Sequence, residues 1–340
     1  MNRGRTAPLS LVILLLGAVL VAACLLALGV GPAGVPPRGV LRALGLGTGV
    51  GDPVETAIVL NIRLPRVLLA VLVGAALAQS GAVMQGFFRN PMADPYLIGV
   101  SAGAALGASL AVFLSLDFWF LGVNGISACA FAGAILVTFT VYAISVRGGR
   151  LPVSLVLLTG VAVSSLASAV TSYLVIASGE DLHRLLFWLM GSLSSRRWEH
   201  LQMAWPQVLV GLVVVQFYAR DLNLILQGEE NAKHLGVEVE RVKRVLLVAA
   251  ALLAAAAVAV SGIVGFVGLV VPHVMRLIVG PDHRRLFPAS LLGGAALLVL
   301  ADTLARVVIA PAELPIGIVT ALLGAPFFLF LLSRRGQVLP

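Results

Sequence analysis

Ten apolar stretches of roughly membrane-spanning length, separated by short charged, Pro- or Gly-containing connections, run through this chain. They fall near 9–30, 66–88, 96–116, 121–145, 152–178, 199–219, 242–261, 264–279, 288–310 and 315–332. A helix needs about 20 predominantly apolar residues to cross a bilayer. Of the 340 residues 60% are hydrophobic and 11% charged, more apolar side chain than a water-soluble fold of this length can hide. The pattern predicts an all-α polytopic membrane protein, a single transmembrane domain over 1–340 with about ten helices. The stretch 245–280 is too long for one crossing, and "SGIVG" (261–265) offers the turn that divides it.

Ten crossings with both termini in the cytoplasm place 15 of the 23 basic residues on the inside, Arg3 and Arg5 among them, and eight on the outside. That asymmetry is the one that orients membrane proteins. The net charge of +8 therefore speaks for topology; no basic stripe points to nucleic acid. Cys24 and Cys129 lie in separate apolar runs with no metal-ligand or disulfide spacing. "VAAC" (21–24) has the look of a lipoprotein cleavage site, but the apolar run continues to Val30 and reads as a retained first span.

Two connections are long enough to do more than turn. Outside, 179–198 has an apolar middle suited to the interface. Inside, 220–244 ("RDLNLILQGEENAKHLGVEVERVKR") is the most charged stretch and contains no proline. Its acids precede its bases, as the helix dipole favours, which predicts a pair of short cytoplasmic helices. No G-x-x-x-x-G-K-[ST] phosphate loop and no paired carboxylates within a span are present, so an enzyme reading has little to stand on.

Polar residues inside the spans are the remaining candidates. Ser164, Ser168 and Ser172 recur every fourth residue and share a helix face, either as packing or as the wall of a polar path. Asp302 and Arg306 have the same spacing, read as a local ion pair against a proton relay. His273 follows Pro272 and reads as structural, while His183 and His200 flank the outer connection. In "FFRNPMADPYLIGVSAGAALG" (87–107) the Asn90–Pro91 and Asp94–Pro95 pairs force a turn. Gly99, Gly103 and Gly107 after it open one helix face to close packing.

The residues 63–108, "RLPRVLLAVLVGAALAQSGAVMQGFFRNPMADPYLIGVSAGAALGA", resemble the signature of FecCD-type permeases, the membrane subunits of ABC importers for iron–siderophores, haem and cobalamin. Similar segments follow in order: "LNLILQGEENAKHLGV", "GIVGFVGLVVPHVMRLIVGPDHRRLFP", "LADTLAR" and "LPIGIVTALLGAPFFLFLL". The resemblance implies a second permease subunit in a homodimer, two cytoplasmic ATPases that carry the ATP and Mg, a soluble binding protein outside, and no cofactor on this chain. By position it implies coupling to the ATPase through Gly228, Glu229, Glu230, Leu235 and Gly236. Docking of the binding protein falls to exposed Arg63, Arg66 and Arg306. A cytoplasmic gate falls to Asn90, Pro91, Met92, Arg147, Gly148 and Gly149, and the serine stripe becomes the path wall. The location implied is a bacterial cytoplasmic membrane. The foremost cargo is a ferric siderophore, with haem and cobalamin close behind. An ion-gradient-driven secondary transporter and a non-transporting scaffold are the readings from other classes.

Overall fold

Each apolar run folds into a helix, because a backbone in hydrocarbon has to satisfy its own polar groups. A computed structural model describes residues 8–335 apart from 49, 50, 117, 121 and 122. Arg3 and Arg5 lie outside the described residues. The order begins with α1 (Leu9–Gly29), α2 (Pro37–Ala43) and α3 (Pro53–Ala57), which continues through a π turn (Ile58–Arg63) into α4 (Leu64–Phe87). A 3₁₀ turn (Pro95–Ile98) leads to α5 (Val100–Phe113), and an antiparallel pair of short strands, β1 (Trp119–Phe120) and β2 (Val123–Asn124), leads to α6 (Gly125–Ser145). Then come α7 (Val153–Ala177), α8 (Leu182–Leu189), α9 (Trp198–Phe217), α10 (Ala219–Leu226) and α11 (Glu229–His234). The chain closes with α12 (Val239–Ser261), α13 (Val267–Val279), α14 (His283–Val307) and α15 (Ile316–Arg335).

Among the described residues, seven helices are long and apolar enough to cross a membrane: α1, the continuous 53–87 helix, α6, α7, α9, α12 and α14. Three shorter apolar helices, α5, α13 and the 316–330 stretch of α15, bring the set to ten. The core is built around α4, which packs against α9, α12, α13 and α14 and is buried along nearly its whole length. Its small side chains are the reason. A Cβ on Gly81 would stand 1.8 Å from the Gly268 carbonyl oxygen of α13, and one on Gly74 2.2 Å from that of Gly294 in α14. Where lipid is as apolar as leucine, such backbone approach and dispersion hold helices together. By contrast α1, α7 and α9 leave most of their apolar surface uncovered by the chain itself.

Several boundaries differ from the sequence pattern. The helix expected from residue 66 starts at Pro53, because Asp52 accepts from the Val54 N–H and Pro53 occupies the first turn. The third span starts at Val100 rather than 96, because Gly99 has a φ of +86° and ends the 3₁₀ turn before it. The charged segment 220–244 comprises α10, α11 and the opening turns of α12. Between α12 and α13 the chain breaks at 262–266, as "SGIVG" suggests. There Tyr96 serves the freed backbone, its hydroxyl donating to the Val264 carbonyl (2.9 Å) and accepting from the Val264 N–H (3.3 Å).

Candidate functional site

At the inner end of α4 the chain reverses without a glycine. Arg89 takes the left-handed conformation (φ 51°) that usually falls to glycine after a helix. The Asn90 N–H returns to the Gln85 carbonyl (3.1 Å) and closes the helix end. Two side-chain turns follow: the Asn90 amide oxygen accepts from the Met92 N–H (2.9 Å), and an Asp94 carboxylate oxygen from the Tyr96 N–H (2.8 Å). Burial raises the Asp94 carboxyl to about 6, against the pull of the Tyr96 N–H.

The second inner turn is a tight antiparallel bridge. Arg147 and Arg150 exchange both backbone hydrogen bonds (3.0 Å each), and Gly148 and Gly149 take φ of +56° and +74° at the tip. Positive φ at both central positions is what a type I′ hairpin turn requires. The structure brings the two turns to one cavity of about 440 Å³, whose lining includes Phe88, Arg89, Arg150, Leu151, Pro152 and Lys243. Asn90, Pro91 and Met92, like Arg147, Gly148 and Gly149, build the turns; the cavity is faced by residues beside them.

The expected coupling segment lies against the same region. Gly228 (φ 135°) joins α10 to α11, Glu229 lines the cavity, and Glu230, Leu235 and Gly236 are exposed. Asn223 anchors α10 to the start of α14, donating to Asp282 (2.6 Å) and accepting from the His283 N–H (3.0 Å). Sequence reasoning missed Lys243 and Glu240, which link these parts. Their three-residue separation on a helix is the signal that could have found them.

The outer arginines correct an expectation. Arg63, Arg66 and Arg306 are all buried, at 4%, 7% and 3% exposure, so none offers its guanidinium to an outside partner in this conformation. Arg66 makes a two-pronged pair with Asp302 (2.8 and 3.0 Å) and reaches Glu313 (2.9 Å). Arg306 pairs with the same Asp302 (3.2 Å) and donates to the Ala27 and Val30 carbonyls. Arg63 donates to the carbonyls of Leu28, Gly29 and Ala33. The physical reason is local: the C-terminal end of α1 presents carbonyls without helical partners, and two acids offset two of the three charges. Burial alone would raise the Glu313 carboxyl, but the hydrogen bond and charge of Arg66 hold it below the ordinary range.

Of the serine stripe, Ser164 is partly covered beside Gly99, whereas Ser168 and Ser172 face away from the chain's own packing. The Ser172 hydroxyl returns to the Ser168 carbonyl (2.9 Å) within α7. Gly103 and Gly107 lie against α6: a Cβ on them would come within 2.4 Å of the Gly133 oxygen and 1.9 Å of the Cys129 oxygen. His183 lines an outer pocket of about 490 Å³ together with Arg196, which has no carboxylate partner among the described residues; burial lowers that guanidinium to about 10. His200 is buried next to Arg196 (3.1 Å), and His273 is buried in α13.

These features can be set beside known proteins. Residues 19–334 match the FecCD transport family. The cobalamin import system permease protein BtuC of Halobacterium salinarum is 53% identical over 283 residues, 83% of this chain and 75% of that protein. The hemin transport system permease protein HmuU of Yersinia pestis is 44% identical over 82% of this chain and 84% of its own length. A solved metal-chelate type ABC transporter in an inward-facing conformation superposes with a TM-score of 0.84 at 34% identity, covering 95% of this chain and 98% of that one. Ten apolar helices, a charged inner helix pair and this likeness over nearly the whole length agree: the chain belongs to the FecCD transport family and is a multi-pass inner-membrane permease subunit of an ABC importer.

Proposed function

We propose that this chain, paired with a second copy, forms the path by which a bulky metal chelate enters the cell, driven by ATP and Mg held on two partner ATPases. The observation that carries the reading is at the tip of the inner helix pair. Leu235 is 66% exposed on a charged surface that faces the cytoplasm, beside a groove of about 490 Å³ lined by α10 and the start of α12. An apolar side chain held out among charges suits insertion into a protein groove. In this reading Gly228, Glu229, Glu230, Leu235 and Gly236 meet the ATPase, and Ser164, Ser168 and Ser172 face the path across the subunit interface.

Sequence resemblance put a ferric siderophore first. The relatives' names favour a tetrapyrrole, so cobalamin or haem now leads. Docking of a binding protein on Arg63, Arg66 and Arg306 would require both the Asp302 and Glu313 cluster and the carbonyl contacts at the end of α1 to open, since their donors are already engaged.

The test is uptake into vesicles holding the permease, its ATPase and its binding protein, offered cobalamin, haem and a ferric siderophore in turn. ATP-dependent uptake of one of them, lost together with ATPase binding in Leu235→Asp, is the expected result. Uptake that follows a proton gradient without the ATPase would overturn it.

A further inference from the structure

Both inner turns and the helix pair meet on one buried ammonium. Lys243, in the second turn of α12, is 7% exposed and is one of only two lysines in the chain. Its Nζ lies 2.7 Å from Glu229 of α11 and 3.5 Å from Glu240 one turn back. The other oxygen of Glu240 accepts from the Leu151 N–H (2.7 Å), directly after the Arg147–Arg150 turn. Glu229 is also 3.8 Å from Arg89, whose guanidinium donates to the Ile225 carbonyl at the end of α10 (2.9 Å). One carboxylate of α11 is thereby connected to the end of α4 through Arg89, and to the start of α7 through Lys243 and Glu240.

We propose that Lys243 is a positioning residue that carries displacement of α11 into the two turns of the inner mouth. This rests on the reading of α10 and α11 as the contact with the ATPase. Lys243 need touch neither solute nor nucleotide. Its work is to make sliding of α11 past α12 costly: with Glu229 gone, the buried ammonium keeps only the Glu240 contact at 3.5 Å. The two cations and two acids of the cluster balance, so it can move as a body without exposing net charge. An ammonium suits the place, because its three donors hold two carboxylates at once and tolerate a change of angle. The adjoining cavity of about 440 Å³ gives Phe88 and Arg150 room to move when the cluster does.

The experiment compares Lys243→Met and Lys243→Arg with the wild type in the assembled complex with ATPase and binding protein, measuring folded yield, ATP hydrolysis and uptake of the same chelate. The expected result for Lys243→Met is yield and hydrolysis within about two-fold of wild type, with uptake per ATP at least ten-fold lower. Lys243→Arg should restore half or more of that ratio. Unchanged uptake per ATP in Lys243→Met would overturn the relay alone. So would a fall in yield, hydrolysis and uptake in proportion, the mark of a merely structural lysine. A wild-type permease that binds no ATPase would remove the relay together with the function it serves.

Discussion

A carboxylate held between two guanidinium groups has exchanged its water for a fixed pair of partners, and Asp302 between Arg66 and Arg306 is such a group. Replacing Asp302 with Ala leaves Arg66 leaning on Glu313 and Arg306 on carbonyls and the Thr303 hydroxyl. Breaking a buried pair from one side costs about 3–5 kcal/mol. Thermal unfolding in detergent should show that loss, with Glu313→Gln costing less because that partner is nearer solvent. Asp94 makes a pH-dependent case. Its folded value, raised to about 6, means its share of stability is full below about 4 and is lost as pH rises through 6. Asp94→Asn keeps an oxygen for the Tyr96 N–H, so it should raise the melting temperature at about pH 7.5 and change little at about pH 4. Equal effects at both pH values would contradict the assignment. The Asp302-x-x-x-Arg306 spacing could be read from sequence as an ion pair. Arg66, 236 residues away, could not, and with it went the exposure expected of the outer arginines.

Among elements, the α5–α6 contact shows how a helix of only 14 residues is held. It relies on backbone meeting backbone, so the cost of one methyl should track the space it meets. Gly107→Ala drives a Cβ to 1.9 Å from the Cys129 oxygen and should lower the yield of folded protein sharply. Gly17→Ala, in the middle of α1 with nothing within 4 Å, should be neutral or slightly stabilising. Detergent-solubilised yield and melting temperature compare the two, and equal behaviour would refute the close-packing account. The number of apolar helices was legible because hydrocarbon demands long apolar runs. The start of the 53–87 helix was not, since its first turns lie in a mixed segment whose helicity comes from the Asp52 cap. The inner turns were legible as turns from Asn-Pro, Asp-Pro and Gly-Gly. Their link through Lys243 was not, because it depends on α11 and α12 folding back on each other.

For the molecule as a whole, the charge asymmetry makes an orientation that labelling can check. With Cys24 and Cys129 replaced by Ala, Glu230→Cys should react with an impermeant maleimide only from the cytoplasmic side, and Arg42→Cys only from outside. Both residues are exposed, so the reverse pattern would invert the topology. The clamp on α1 bears on something other than stability, namely the order of manufacture. Arg63 follows the Leu28 carbonyl by 35 residues and can seal it early in synthesis. Arg306 follows Ala27 by 279 residues. Helix α1 therefore receives its final cap from α14, and a chain stopped before Asp302 carries an unsealed outer end. Quality-control proteases should recognise such fragments as unfinished, which makes arrival of α14, rather than insertion of α1, the event that commits the permease to the membrane.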